Sequence, residues 1–365
     1  MSVTNVSNLC NTLIEKLNPA VGSVPSSLIE SAGTYVALNS ARNTAGYEKI
    51  KQDITNEYAG KKMNSNTFPK TTIEILKPEC GDTSVDAPTS PCTIGSNGDP
   101  LYTSINVNIE GYKEVQFTMT MDEFDESCNG FDEYLMTKMR QKSHELLRAV
   151  NKDLGERVQA LMGNYLDGTS SLTSARTLNI LNSSLAPNVM AFPLVDAEYD
   201  GMGYNNGVIK VGGRYLNLYN KALGLSIGNT TTGLDATKLP IADFYYDSTI
   251  DRLNPDGCTL LTWGAGAIQM IEAYRYVGKK AWNLEHTARR VVAVDGFEHD
   301  LSIYFDECHN SGVGAWVFKL SKSYDLLYAP ENLFTCTPGD ANFKLQYLLG
   351  CGTIDCNDLT ICPVS

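Results

Sequence analysis

The sequence holds no block of lysines and arginines, and acidic residues outnumber basic ones 42 to 29, for a formal net charge of −13. A chain of that sign stays soluble and repels nucleic acid, which excludes sequence-specific DNA binding. No apolar run approaches the roughly 20 residues that a membrane-spanning helix needs. The opening stretch, MSVTNVSNLCNTLIEKLNPAVG, lacks the basic lead and apolar run of a signal peptide. The expectation is a soluble protein made in a cytoplasm, with no membrane contact. Histidine is scarce: His144, His286, His299 and His309 stand in no metal-ligand spacing.

The ten cysteines fall at 10, 80, 92, 128, 258, 308, 336, 351, 356 and 362. Their tail spacing lacks the close pairs of a zinc site. Without a secretory signal the default is reduced thiol behaving as a small hydrophobe, with disulfides formed after release from a cell as the other reading. The sequons at Asn5, Asn182 and Asn229 matter only in a secreted chain.

Motifs for chemistry are equally thin. Gly224-Leu225-Ser226-Ile227-Gly228 has the letters of a nucleophile elbow, but that turn needs a strand before it and a helix after it. Here a helical pattern precedes and NTTTG follows. Asp196, Glu198 and Asp200 open like a calcium loop, but its twelfth position is Gly207 rather than Glu, so a polar turn is expected. Gly201, Gly203 and Gly207 are spaced one residue too long for a dinucleotide fingerprint. The GKK at 278–280 lacks the upstream glycine of a phosphate loop. Asp306, Glu307, Cys308 and His309 are the densest reactive group. Neighbours in an extended chain point to opposite faces, so Cys308 and His309 are badly placed for a thiolate–imidazole pair. They read as a solvated turn. No catalytic, cofactor or metal residue is assigned.

What the sequence does contain is pattern. Apolar residues make up 42% and charged residues 19% of 365, as in a globular chain. Residues 1–65 are thinly apolar and broken by proline and glycine, like an arm that lies on something else. TTIEIL and SINVNIEGYKEVQFTMTM alternate as strands do, around a tip dense in Pro, Gly, Ser and Asp. That predicts a long two-stranded excursion over 66–125, marginal without a partner surface.

From 130 to 166, Phe131, Leu135, Met139, Leu146, Val150, Leu154, Val158, Leu161 and Tyr165 form one helical stripe. It predicts a helix of about 55 Å, with Asn129 as N-cap and Gly168 past its end; a break at Gly155 is the alternative. Downstream, 213–224 reads as a short helix ending at Gly224, 240–250 as a strand and 261–282 as a second helix. Leu301, Ile303 and Phe305, then Trp316, Phe318 and Leu320, read as strand, loop, strand, with Lys322 out of pattern. The class is α+β, with no internal repeat.

The order of these parts resembles the Hong Kong 97-type major capsid protein of tailed bacteriophages. The stretches LTWGAGAIQM, HDLSIYFDEC, GAWVFKLSKSYDLLYAPENLF and NFKLQYLLGCG, across about 260–352, are similar to the C-terminal half of that family. The resemblance implies an N-terminal arm (1–65), an extended loop (66–125), a peripheral domain with a spine helix (126–200) and a mixed axial domain with C-terminal strands (201–365). It implies a non-enzymatic shell protein of the virion, built in the host cytoplasm, that assembles with copies of itself into pentamers and hexamers around a DNA genome. Scaffold, portal and decoration proteins are the further partners it implies. The acidic balance suits a wall beside packaged DNA. Competing readings are a bacterial nanocompartment shell, a tail tube or adaptor protein, and a hydrolase acting through Ser226 or Cys308.

Overall fold

The computed structural model describes residues 32–40, 52, 70–76, 102–120, 131–162, 176–180, 188–201, 207–220 (without 215 and 218), 244–250, 259–276, 283–284, 287–306, 314–328, 344–350, 354–355 and 360–361. All ten cysteines, Asn129, Gly168 and the whole Gly224–Gly228 stretch lie outside the described residues.

The fold is a mixture of helix and sheet, as the patterning predicts. Strands β1 (Lys70–Leu76) and β2 (Tyr102–Asn108) pair antiparallel as a sheet of two, from Lys70 opposite Asn108 to Leu76 opposite Tyr102. The stretch 66–125 contains this pair. Strand β3 (Gly111–Thr120) leaves it and enters the main sheet. Its alternation serves that sheet: Phe117 and Met119 are buried while Gln116 and Thr118 face out.

Helix α2 (Phe131–Leu161) is the predicted long helix, 31 residues and about 46 Å. It runs unbroken through Gly155. Leu135, Met139, Leu146, Val150, Leu154 and Val158 are all buried on one side. The stripe contains polar steps that apolar counting skips: Ser143 and Asn151 are buried too.

The main sheet runs β3, β12 (Ala315–Tyr328), β11 (Phe297–Asp306), β10 (Thr287–Val294) and β9 (Asn283–Leu284), with β8 (Ile268–Ala273) also on β12. A second sheet runs β4 (Arg176–Asn179), β13 (Lys344–Gly350), β7 (Thr259–Gly264), β5 (Val208–Gly212) and β6 (Phe244–Tyr246). Strands β14 (Ile354–Asp355) and β15 (Thr360–Ile361) form a small pair.

The second sheet is covered on both faces. Ile209, Val211, Leu261 and Trp263 join the large core with α2 and the main sheet. Val208, Leu260 and Tyr347 face a smaller core under α3 (Ala191–Gly201). Both cores draw residues from either side of position 200.

Three expectations are corrected. Where a second helix is expected over 261–282, the described residues up to 276 instead form β7, a tight turn and β8. Both faces of β7 are buried, so its apolar run carries no period-2 signal. Gly266 takes φ +90° in the turn, which Ala267 N–H closes onto the Gly264 carbonyl at 2.9 Å. The polar turn at Asp196, Glu198 and Asp200 is helix α3, whose apolar side (Ala191, Phe192, Val195, Tyr199) was hidden under the acidic spacing. The arm expected over 1–65 is not free throughout: helix α1 (Gly33–Ser40) buries Tyr35, Ala37 and Leu38 in this chain's own core. The described residues of 214–220 are helical, as predicted for 213–224, and β6 falls within the strand expected over 240–250.

Candidate functional site

Of the Asp306–His309 cluster, only Asp306 falls within the described residues. Asp306 ends β11 opposite Ala315, while Glu307, Cys308 and His309 lie outside the described residues. Asp196 and Glu198 make separate contacts from α3: Lys210 Nζ reaches Asp196 Oδ1 at 2.5 Å, and the Tyr347 hydroxyl bonds Glu198. Gly201 closes α3 and Gly207, at φ +89°, leads into β5, while Gly203 lies outside the described residues. Among the described residues, no group of three or more His, Cys, Asp or Glu is placed to hold a metal ion. No helix among them is long and apolar enough to cross a membrane.

The polar chemistry is buried, at a seam. Strand β12 pairs β3 along one edge from Ala315 to Tyr324. On the other edge it pairs β11 as far as Ser321 and β8 from Ser323 onward. Lys322 sits at the change of partner. The ladder is interrupted there, and side chains stitch the gap, because buried polar groups left unpaired are costly.

Lys322 and Glu272 are both fully buried, with Nζ 2.6 Å from Oε1. Lys322 also donates to the Tyr274 hydroxyl at 2.9 Å and to the Glu298 carbonyl at 2.6 Å. The Tyr274 hydroxyl lies 2.7 Å from Glu272 Oε2 and 3.0 Å from Glu298 Oε2. Burial, followed by the charges of Glu272 and Glu298, pushes the Tyr274 phenol well above its usual range, so it keeps its proton. The rings of Tyr274 and Phe297 flank the Lys322 ammonium at 4.7 and 5.3 Å.

Beside them, the Asp300 carboxylate accepts the backbone N–H groups of Arg275 and Tyr276 at 2.9 and 3.3 Å, joining β11 to the turn after β8. Burial pushes its pKa up to about 7, against those two bonds. His299 is driven down to about 3 by burial and is neutral. Its Nδ1 stands 3.3 Å from the Asp300 carbonyl, which only accepts, so Nδ1 carries the proton and Nε2 accepts from the Ser143 hydroxyl at 2.9 Å. Ser143 is a polar step in the α2 stripe, so the helix is pinned to the sheet there.

A second network fixes α1. The Asp247 carboxylate accepts Thr34 N–H at 3.0 Å, Thr34 Oγ1 at 2.5 Å, and Asn151 Nδ2 at 3.0 Å. Thr249 adds its N–H at 2.8 Å and its hydroxyl at 2.7 Å. Asn151, the other polar step of α2, returns Oδ1 to Tyr35 N–H at 3.0 Å. The negative charge lies at the N-terminal end of α1, where the helix dipole favours it.

A third network is partly exposed. Asp153 on α2 takes Lys113 of β3 at 2.9 Å, Tyr324 of β12 at 2.8 Å and Arg157 at 2.8 Å. Burial raises the Asp153 carboxyl, but those bonds and the two cations more than offset it, and it lies below its ordinary value.

The first and third networks tie the long helix to strands distant in sequence, and the second ties it to α1 and to the turn that follows β6. Their bonds and ion pairs hold helix and strands together. Sequence reading flagged Lys322 as misplaced. The rest was invisible, because Glu272, Tyr274 and Asp300 meet only through the β8–β12–β11 pairing.

No family model matches the sequence, and no curated protein matches it. Solved structures do. A cyanophage A-1(L) capsid chain is 11% identical, with 90% of this chain and 95% of that chain covered at a TM-score of 0.43. A Mycobacterium phage Che8 chain is 13% identical, with 81% and 90% covered at 0.42. The capsid of a native GTA particle is 11% identical, with 77% and 86% covered at 0.41. At scores this low, the fold stands on the description above.

Proposed function

We propose that this chain is a major capsid protein of a tailed phage, of the Hong Kong 97 type, and that it forms pentamers and hexamers of an icosahedral shell around DNA. It is a structural protein and not an enzyme. The observation that carries this reading is that, among the described strands, β1 and β2 pair only with each other. The ribbon forms a sheet of two, while β3, three residues later, is already inside the main sheet. A two-stranded ribbon is marginal alone in water. Its chemistry calls for a surface to lie on, and a neighbouring copy supplies one at every position of a closed shell.

The rest is consistent with a wall element. A long helix is bolted to sheet through buried polar ties, and the chain's net charge of −13 suits a wall that must not grip DNA. In this reading the N-terminal arm, the extended loop, the peripheral part with α2 and the axial part from 201 onward divide the work of reaching neighbours and meeting at the symmetry axes. Scaffold, portal and decoration proteins are the expected further partners.

Electron microscopy of particles formed by the purified protein tests it. Closed icosahedral shells support the reading. Tubes or rings point to a tail or adaptor protein, and shells filled with enzyme cargo point to a nanocompartment.

A further inference from the structure

The buried pair at the seam has a property beyond holding strands together. We propose that Lys322 and Glu272 condense to an intrachain amide, a covalent bond between β12 and β8. The proposal is independent of the shell reading and rests on the geometry around one carboxyl group.

Two oppositely charged groups without exposure are poorly stable as ions. Passing one proton from the ammonium to the carboxylate leaves a neutral amine and a carboxylic acid, the two reactants of amide formation. Lys322 Nζ is held 2.6 Å from Glu272 Oε1, so a small displacement brings the nitrogen onto the carboxyl carbon. Fixing reactants in this way replaces an improbable encounter.

The two carboxyl oxygens have different neighbours. The Tyr35 hydroxyl stands 3.5 Å from Oε1, on the side where negative charge builds during attack. The Tyr274 hydroxyl touches both Lys322 Nζ, at 2.9 Å, and Glu272 Oε2, at 2.7 Å. It can take a proton from the amine and return one to the departing oxygen.

The step balances. The Nζ–Cδ bond forms and the Cδ–Oε2 bond breaks. Oε2 leaves as water with the carboxyl proton and one amine proton. The amide keeps one N–H, for which the Glu298 carbonyl, 2.6 Å from Nζ, is the acceptor. Nothing is oxidised or reduced, and no co-reactant is needed. Water is scarce around two fully buried side chains, which favours condensation over hydrolysis.

The test is the mass of the folded, purified full chain, measured after denaturation and full reduction of its cysteines. The expected mass is one water below that of the sequence. Trypsin should then leave Lys322 uncut and yield a branched peptide joining residues 320–344 to 253–275. Lys322→Arg and Glu272→Ala should each restore the full mass, and Tyr274→Phe should slow the loss of water. A wild-type chain that keeps its full sequence mass after prolonged incubation in the folded state overturns the proposal, as does a water loss that maps to any other pair of residues.

Discussion

Replacing Asp247 with alanine should release α1 from the core. The carboxylate accepts the Thr34 N–H and hydroxyl, the Asn151 side-chain amide, and the Thr249 N–H and hydroxyl. Thr34 and Asn151 are buried, so their donors would have no water to turn to. Each buried donor left without an acceptor costs about 1–3 kcal/mol, and bonds to a charged acceptor lie toward the upper end. Counting only those two residues and allowing for relaxation, the loss is roughly 3–5 kcal/mol. The contrast is Lys152→Ala, which breaks an exposed pair with Glu156 at 3.9 Å and should cost under about 1 kcal/mol. Urea unfolding of the unassembled subunit measures both, and hydrogen exchange at Val36, Ala37 and Leu38 reports α1 directly. If Asp247→Ala unfolds within about 1 kcal/mol of the wild type with unchanged exchange in α1, the latch is misread.

Further outcomes follow from other parts of the fold. Leu146→Pro, at a fully buried position inside α2, should cost about 3 kcal/mol or more and abolish folding; circular dichroism and thermal melting read it, and an unchanged melt contradicts the helix. Deleting the excursion tip, residues 79–99, should leave a soluble subunit that assembles poorly, and normal shells at normal yield would refute the role given to the ribbon. The pH dependence should carry two opposed slopes. Asp300 is raised from 3.8 to about 7, so the folded chain holds a proton the unfolded chain has lost, and this contribution to stability falls as pH rises through that window. His299 is lowered from 6.5 to about 3, so the unfolded chain gains a proton the folded chain refuses, and its contribution falls as pH drops through that window. The two windows overlap, so stability should fall less steeply with rising pH between 3.8 and about 7 in Asp300→Asn, and should fall less on acidification between 6.5 and about 3 in His299→Gln; identical pH profiles in all three proteins would contradict both assignments.

Much of the architecture is legible because its elements carry clean periods. The α2 stripe and the alternation in β3 each have one buried side, and one-sided burial writes a period into sequence. Legibility fails where burial is two-sided. Leu260 and Leu261 face different cores, so β7 shows no alternation and reads equally well as helix. It fails also where polar residues serve the interior. Ser143 and Asn151 interrupt the apolar count of α2 although both are buried, and Thr34 makes α1 look like part of a loose arm. The seam is harder still. Lys322 stands out in its strand, but its partners arrive from β8 and β11, and no local spacing encodes that meeting. In α3 the acidic residues carry the spacing of a loop, while Ala191, Phe192, Val195 and Tyr199 form the buried face of a helix.

The central claim is that this chain gains its full order by lying across copies of itself. Electron microscopy of the purified protein, brought to high concentration, tests that claim most directly. The account predicts closed shells whose facets resolve into rings of five and six subunits, with the β1–β2 ribbon of each laid over a neighbour. A protein that remains monomeric at every concentration, with the ribbon folded back onto its own body, would contradict it.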